Sequence, residues 1–355
     1  MNQAQTRADQ AHAWLGVAHG LEIQDRYPQA LEALDHAQRH AGRDAGADLL
    51  ARIHYQRGNI SFPLGRLDEC FREHELALRH ARAAAAPTLE ARALSGLGDA
   101  CYQRGRMLTA HRHFERCIAL CREHSLIGIE ASNLVMLGLT RFYQNDLVGA
   151  EREVTAAAGI ATRIGNKRDE SLALGVLGLL CQYQGRWREA RESIERGLEL
   201  ARGLGARRFE AEHLGHLAFV MARLGQNDLV ERWFEQAWAL SRATGAAAYM
   251  GSWILGLWAL GTDDAGRRVR LLAEGEALLG ADSVSHNYLH FYQNAMEAAL
   301  NNRDWEEAER YAAALAAYTA AEPLSWSEFF IARARALARF RRGDLRACRP
   351  KCSPG

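Results

Sequence analysis

Apolar residues recur at intervals of three and four along most of the chain, as in Phe114, Cys117, Ile118 and Cys121 of "RHFERCIALC". That spacing lays a continuous apolar stripe along one face of a helix. Only six prolines interrupt 355 residues, so helices are predicted throughout. A longer period lies over the short one. Ala18, Gly58, Gly98, Gly138, Gly178 and Ala218 stand 40 residues apart. Twelve positions after each comes Ala30, Cys70, Ala110, Ala150, Ala190 or Val230, and nineteen after each comes Ala37, Ala77, Cys117, Ala157, Gly197 or Ala237. Four positions before each sit Trp14, His54, Leu94, Leu134, Leu174 and Leu214.

Small residues at fixed positions have a physical cause. Two antiparallel helices approach closely only where side chains are short, and larger residues fill the remaining grooves. Each unit also breaks at its middle, with "RGR" at 104–106, "QND" at 144–146, "QGR" at 184–186 and "GQND" at 225–228. Glycine there supplies the left-handed conformation that ends a helix. The unit is helix, tight turn, helix. One unit cannot bury its own stripe, so units must stack. The small and bulky columns resemble the tetratricopeptide repeat, with a second helix longer than the usual 34-residue period allows. The predicted fold is all-α: a right-handed α-α superhelical solenoid of tetratricopeptide-like helix pairs with a 40-residue period. Six regular repeats occupy 1–245. A divergent continuation with a truncated last repeat occupies 246–349, and 350–355 form a disordered tail.

Composition narrows the functional classes. Net charge is +1, which favours neither nucleic acid nor an anionic membrane as partner. Of 44 basic residues only Lys167 and Lys351 are lysine, a bias that fits arginine-rich coding better than phosphate-binding design. The N-terminus has no apolar signal core, and no uninterrupted apolar run is long enough to span a membrane. Seven cysteines without framework spacing suit a reducing, cytoplasmic setting.

Candidate chemistry is sparse. His113, Cys117, Cys121 and His124 share helical spacing, as a metal site would. The stretch nevertheless spans roughly 16 Å at 1.5 Å per residue, whereas zinc ligands lie about 2.0–2.3 Å from the ion. Cys117 and Cys121 stand in columns that elsewhere hold Ala, Gly or Ser, so packing is their expected role. His286 and His290 form an i, i+4 pair without the glutamate or third ligand of a metalloprotease helix, and are expected at the surface or at a cap. "GIATRIGNK" at 159–167 has the wrong spacing for a phosphate loop and no preceding strand. There is no nucleophile elbow and no dinucleotide fingerprint. No catalytic residue, metal or cofactor is expected.

A groove is the remaining candidate. In tetratricopeptide solenoids the first helix of each unit lines the concave face through its positions 2, 5, 9 and 12. Here these are Arg52, Tyr55, Asn59 and Phe62, then Arg92, Ser95, Asp99 and Tyr102. The next unit adds Ser132, Val135, Leu139 and Phe142, with Tyr143 beside them. Arginine and aromatic residues dominate binding hot spots, so Arg52, Tyr55, Asn59, Arg92, Asp99, Tyr102, Phe142 and Tyr143 are candidate contacts for a protein or peptide partner. Packing between stacked units is the alternative for the aromatic members. Self-association through the C-terminal end, where "FFIARARALARF" exposes apolar residues, is a further expectation.

"RIHYQRGNISFPLGRLDECFREHELAL", "GLGDACYQRGRMLTAHRHFERCIALCREH", "SVSHNYLHFY" and "EPLSWSEFFIARARAL" resemble the C-terminal helical-repeat region of bacterial class III adenylate/guanylate cyclase-like proteins. In that family a cyclase domain and a P-loop ATPase module precede the repeats. The resemblance implies a non-catalytic regulatory or sensing region, since the residues of both catalytic modules are missing here. The abrupt start and the "RPKCSPG" ending suggest a truncated or frameshifted relative, or a separately encoded repeat module. Two functions follow: a scaffold for protein–protein interaction, or a module that senses a small effector and controls a transcription or signalling output domain.

Overall fold

The computed structural model describes residues 3–24, 26–42, 45–280 and 283–341. Among them are seventeen α-helices and no strand. Contacts divide the chain into two compact units, Met1–Leu137 and Gly138–Gly355. In unit 1, α1 (Gln3–Ile23) pairs with α2 (Tyr27–Ala41), α3 (Ala47–Ser61) with α4 (Leu67–Ala83), and α5 (Pro87–Gln103) with α6 (Met107–Glu123). Helix α7 (Ile127–Phe142) carries the unit boundary. Unit 2 continues with α8 (Leu147–Ile164), then the pairs α9 (Lys167–Tyr183) with α10 (Trp187–Gly203), and α11 (Arg207–Arg223) with α12 (Val230–Ala243). A shorter pair follows, α13 (Ser252–Gly261) with α14 (Ala265–Ala277). It is entered through a π-helical turn at Ala247–Gly251. Helices α15 (Ser285–Asn301), α16 (Trp305–Thr319) and α17 (Ser325–Arg341) complete the described residues. The second helix expected after α17, and the tail at 350–355, lie outside them.

The three small-residue columns form the seams of these pairs. Every alanine, cysteine and valine in them is buried, from Ala18 and Ala30 to Val230 and Ala237. The glycines show why size is limiting. A Cβ on Gly58 would lie 2.6 Å from Cε1 of His74, inside the imidazole. At Gly98 the space belongs to Phe114, at Gly138 to Val154, and at Gly178 to Ile194. Each of these larger residues stands sixteen positions after its glycine, on the second helix of the same pair. The seam is a knob inserted where the opposing backbone is bare.

Turns repeat with the same 40-residue period. Within pairs the left-handed residue is Gly65, Gly105, Asn145, Gly185 or Gly225, with φ between 62° and 73°. Between pairs it is Ala85, Ser125, Gly165, Gly205 or Gly245. Helix starts at Asp146, Asn166, Asp264 and Asp304 are capped by their own side chains, as Asp146 Oδ1 accepting from the Gly149 N–H at 2.8 Å shows. Within unit 1 the first helices approach one another, α1 to α3 and α3 to α5, more closely than the second helices do. The first-helix layer is the inner one.

Candidate functional site

The candidate residues fall on two units. On the inner layer of unit 1, Arg52 is exposed at the start of α3, its Nε donating to Asp48 Oδ2 at 2.8 Å. Tyr55, one turn on, is half-buried and tilted against the His74 ring with centroids 5.8 Å apart. Asn59 is half-buried. Helix α5 repeats the row: Arg92 is exposed, Ser95 and Asp99 are half-buried, and Tyr102 is buried at 7% exposure. The inner face of unit 1 thus offers guanidinium groups at one end of each helix and amide, hydroxyl and carboxyl groups in the middle, while Tyr102 at the far end of α5 is buried.

The polar groups beneath this face are mostly satisfied. Gln56 donates to Glu22 Oε2 at 3.2 Å. His54 pairs with Glu73 at 2.7 Å and stacks on His80 with centroids 5.4 Å apart. His74 fills the spaces beside Gly58 and Gly96, and burial pushes its imidazole down to about 4. Asp99 differs. Among the described residues it has no hydrogen-bond or ion-pair partner, and burial alone pushes its carboxyl up to about 7.

In unit 2, Phe142 and Tyr143 are fully buried, at 0% exposure. With Tyr102 they correct the expectation of an open aromatic groove: these three side chains pack, as the alternative for aromatic residues held. Their surroundings explain it. Helices α15 and α17 lie against α9 and the end of α7, and the rings of Phe142, Tyr143, Tyr183, His290, Trp326 and Phe330 form one cluster. Phe142 meets Tyr183 edge-on at 4.7 Å, and the Trp326 N–H donates to the Tyr143 carbonyl at 3.2 Å.

His290 ties this cluster together. Tyr183 Oη donates its one hydrogen to Gln293 Oε1 at 3.2 Å, so it accepts from His290 Nδ1 at 3.4 Å. Nε2 is then left to accept from the Tyr143 hydroxyl at 2.9 Å. The relay needs a neutral imidazole, and burial pushes His290 down to about 3. His286 is likewise recessed, its Nε2 donating to the Tyr249 carbonyl at 2.7 Å. The pair expected at the surface or at a cap is half-buried, each imidazole hydrogen-bonded to another helix or turn. A 40-residue period reports neighbouring repeats and carries no sign that α15 meets α9.

Cys117 and Cys121 are both buried at 0%, with Sγ atoms 4.0 Å apart, and the Cys117 thiol donates to the Ala91 carbonyl at 3.2 Å. The hydrogen bond with Cys121, then burial, push the Cys117 thiol well up; fully buried in its small-residue column, it packs. Among the described residues no three His, Cys, Asp or Glu side chains group as metal ligands, and no helix is long and apolar enough to cross a membrane.

A family model for the tetratricopeptide repeat matches residues 49–123, which include α3 to α6. Comparison with curated proteins finds none that matches. Among solved structures, the chain is similar to a Rap protein complexed with competence and sporulation factor. There the TM-score is 0.65 at 10% identity, over 92% of this chain and 100% of that one. It is similar to NprR in complex with its cognate peptide NprX, with a TM-score of 0.61 at 13% identity over 85% of each chain. A third is aspartyl phosphate phosphatase F from Bacillus subtilis, with a TM-score of 0.62 at 12% identity over 89% of this chain and 84% of that one. At these identities the likeness shows the fold: a tetratricopeptide-like helical solenoid.

Proposed function

We propose that the chain is a non-catalytic scaffold that binds a polypeptide partner on the inner, first-helix face of unit 1. The observation that carries this is the repeated row on α3 and α5. Arg52 and Arg92 stand exposed at the same position of consecutive helices, with Asn59 and Asp99 following at matching depth. Matched polar groups on successive helices suit an extended chain, whose backbone amides and side chains recur at short, regular intervals. Two relatives of the same fold are complexed, one with competence and sporulation factor and one with its cognate peptide, and this supports the reading. Selection of random heptapeptides on the intact protein, followed by competition with Arg52→Glu and Arg92→Glu, tests it. Peptides should be captured, and the double variant should lose at least about tenfold in affinity, the scale of one interface hot spot.

A narrower form makes the partner a signalling output domain. It rests on the resemblance of segments such as "EPLSWSEFFIARARAL" to the repeat region of class III cyclase-like proteins. Co-purification of a cyclase or ATPase domain with this chain tests that form. A second reading, sensing of a small effector, draws support from unit 2. There Glu212 on α11 makes no hydrogen bond or ion pair and burial raises its carboxyl, although Arg208 lies near. The Arg208 guanidinium is instead stacked over Tyr249, 4.7 Å from the ring centre.

A further inference from the structure

The carboxylates of unit 1 divide sharply. Asp35 pairs with Arg57 at 2.6 Å, Asp48 with Arg52 at 2.8 Å, Glu90 with Arg82 at 2.7 Å and Glu130 with Arg122 at 2.7 Å. Asp68 pairs with Arg104, and Glu73 with His54. Those without a salt bridge to a basic side chain, Asp9, Glu32 and Glu75, are exposed and solvated. Among the described residues of unit 1, Asp99 alone is both desolvated and without a partner. Burying a charged group without a partner costs several kcal/mol in the ionised form, so a fold gains nothing from it. Arg104, five residues further along the chain, is committed elsewhere: its guanidinium holds Asp68 and lies over the Phe71 ring, 5.2 Å from its centre.

The position of Asp99 gives the deficit a direction. It stands on the inner face of α5, at the level that Asn59 holds on α3, half-buried and therefore reachable from solvent. We propose that Asp99 anchors a protonated nitrogen of the bound polypeptide, either its N-terminal ammonium or a Lys or Arg side chain. This rests on the polypeptide-binding reading above. Among the described residues Asp99 belongs to no group of three or more His, Cys, Asp or Glu side chains, so a metal ion is a poorer match for it than an organic cation. Its carboxylate can hold an ammonium or a guanidinium, which brings its own hydrogen-bond donors and forms a charge-assisted bond of about 2.7–2.9 Å.

The charge balance is favourable in one protonation state only. The titratable groups facing Asp99 are the thiols of Cys70 on α4 and Cys117 on α6. Burial raises the Cys70 thiol to about 12, and the hydrogen bond with Cys121 together with burial raises Cys117, so neither changes charge between pH 6 and 8. Asp99 titrates near 7 and does. Its ionised fraction rises about tenfold over that interval, and affinity for a cation must rise with it.

The experiment uses two small probes, argininamide and n-butylammonium, titrated into the intact protein. Binding is read from the Asp99 side-chain carboxyl resonance in the carbon-13 spectrum, assigned with Asp99→Asn. Affinity should strengthen about tenfold from pH 6 to pH 8, and at pH 8 Asp99→Asn should weaken it at least tenfold. Binding that is flat across this range, or that survives in Asp99→Asn, overturns the proposal; the wild-type pH series decides even where the variant folds poorly. Heptapeptide selection separates the two levels. Captured peptides lacking a basic residue or free N-terminus at a constant position overturn the Asp99 anchor and leave the polypeptide reading standing. Amines that bind through Asp99 when no peptide is captured show a cation site there but overturn both the polypeptide reading and the anchor's part in it.

Discussion

The turns between helix pairs make a quantitative test of the repeat. Ala85 and Ser125 adopt φ of 49° and 56° at positions where later repeats place Gly165, Gly205 and Gly245. The conformation is fixed by its surroundings. The Ala86 N–H donates to the Ala81 carbonyl at 3.0 Å, and the Leu126 N–H to the Cys121 carbonyl at 2.8 Å, closing each helix. A residue with a Cβ adopts this conformation at a cost of about 1–2 kcal/mol. Both side chains are exposed, so replacing them with glycine forfeits no buried contact. The extra freedom of glycine in the unfolded chain returns about 0.4–1 kcal/mol of the gain. Ala85→Gly and Ser125→Gly should therefore each stabilise unit 1 by about 0.5–1 kcal/mol, and together by about 1–2 kcal/mol. Urea unfolding followed by circular dichroism should show a higher midpoint with an unchanged slope. Gly105→Ala, at φ 73°, should move the midpoint the opposite way. If both glycine substitutions lower the midpoint, the turn geometry assigned to this column is wrong.

Other consequences follow from the seams and the buried imidazoles. Gly58→Ala places a methyl group in the His74 ring and should destabilise by about 1–3 kcal/mol, with His74→Ala in the same chain restoring part of the loss on thermal unfolding. Cys117→Ala and Cys121→Ala should leave the helical spectrum intact at a cost near or below about 1 kcal/mol each, since alanine fills those columns elsewhere and one thiol hydrogen bond is lost; loss of fold on either substitution contradicts the packing role. Unit 2 should weaken in acid. Its His213 and His286 stay neutral down to about 4, and His216 and His290 down to about 3, whereas the same groups protonate near 6.5 in the unfolded chain. Below pH 6.5 the unfolded state binds more protons, so stability present above that pH falls by about 1.4 kcal/mol per imidazole per pH unit. The carboxyls of Glu212 and Glu297, raised by burial, act in the opposite sense, two groups against four. Urea midpoints that stay constant from pH 7 to 5 would show that these imidazoles are not buried.

The helix pairs, their seams and the glycine turns were legible because each depends on contacts between neighbouring repeats, which a fixed column records. Ala85 and Ser125 were not, because their residue types give no sign of a left-handed backbone. The inner-face position of Asp99 followed from its column; its lack of a partner did not, since a column does not record which side chains pair across helices. The burial of Phe142 and Tyr143 was hidden for a different reason. Tyr143 meets His290 across 147 residues of sequence, and no periodicity reports a contact of that range.

The central claim is that the inner face of unit 1, through Arg52 and Arg92, holds a polypeptide. The most direct measurement is the dissociation constant of a peptide selected on the intact protein, compared between two charge-reversed variants. Arg52→Glu with Arg92→Glu should raise it at least tenfold with little change in melting temperature, because exposed charges contribute little to folding. Arg79→Glu with Arg116→Glu, on the exposed faces of α4 and α6, should leave it within twofold. Equal losses in both variants, or a loss confined to the second, would contradict binding on the inner face.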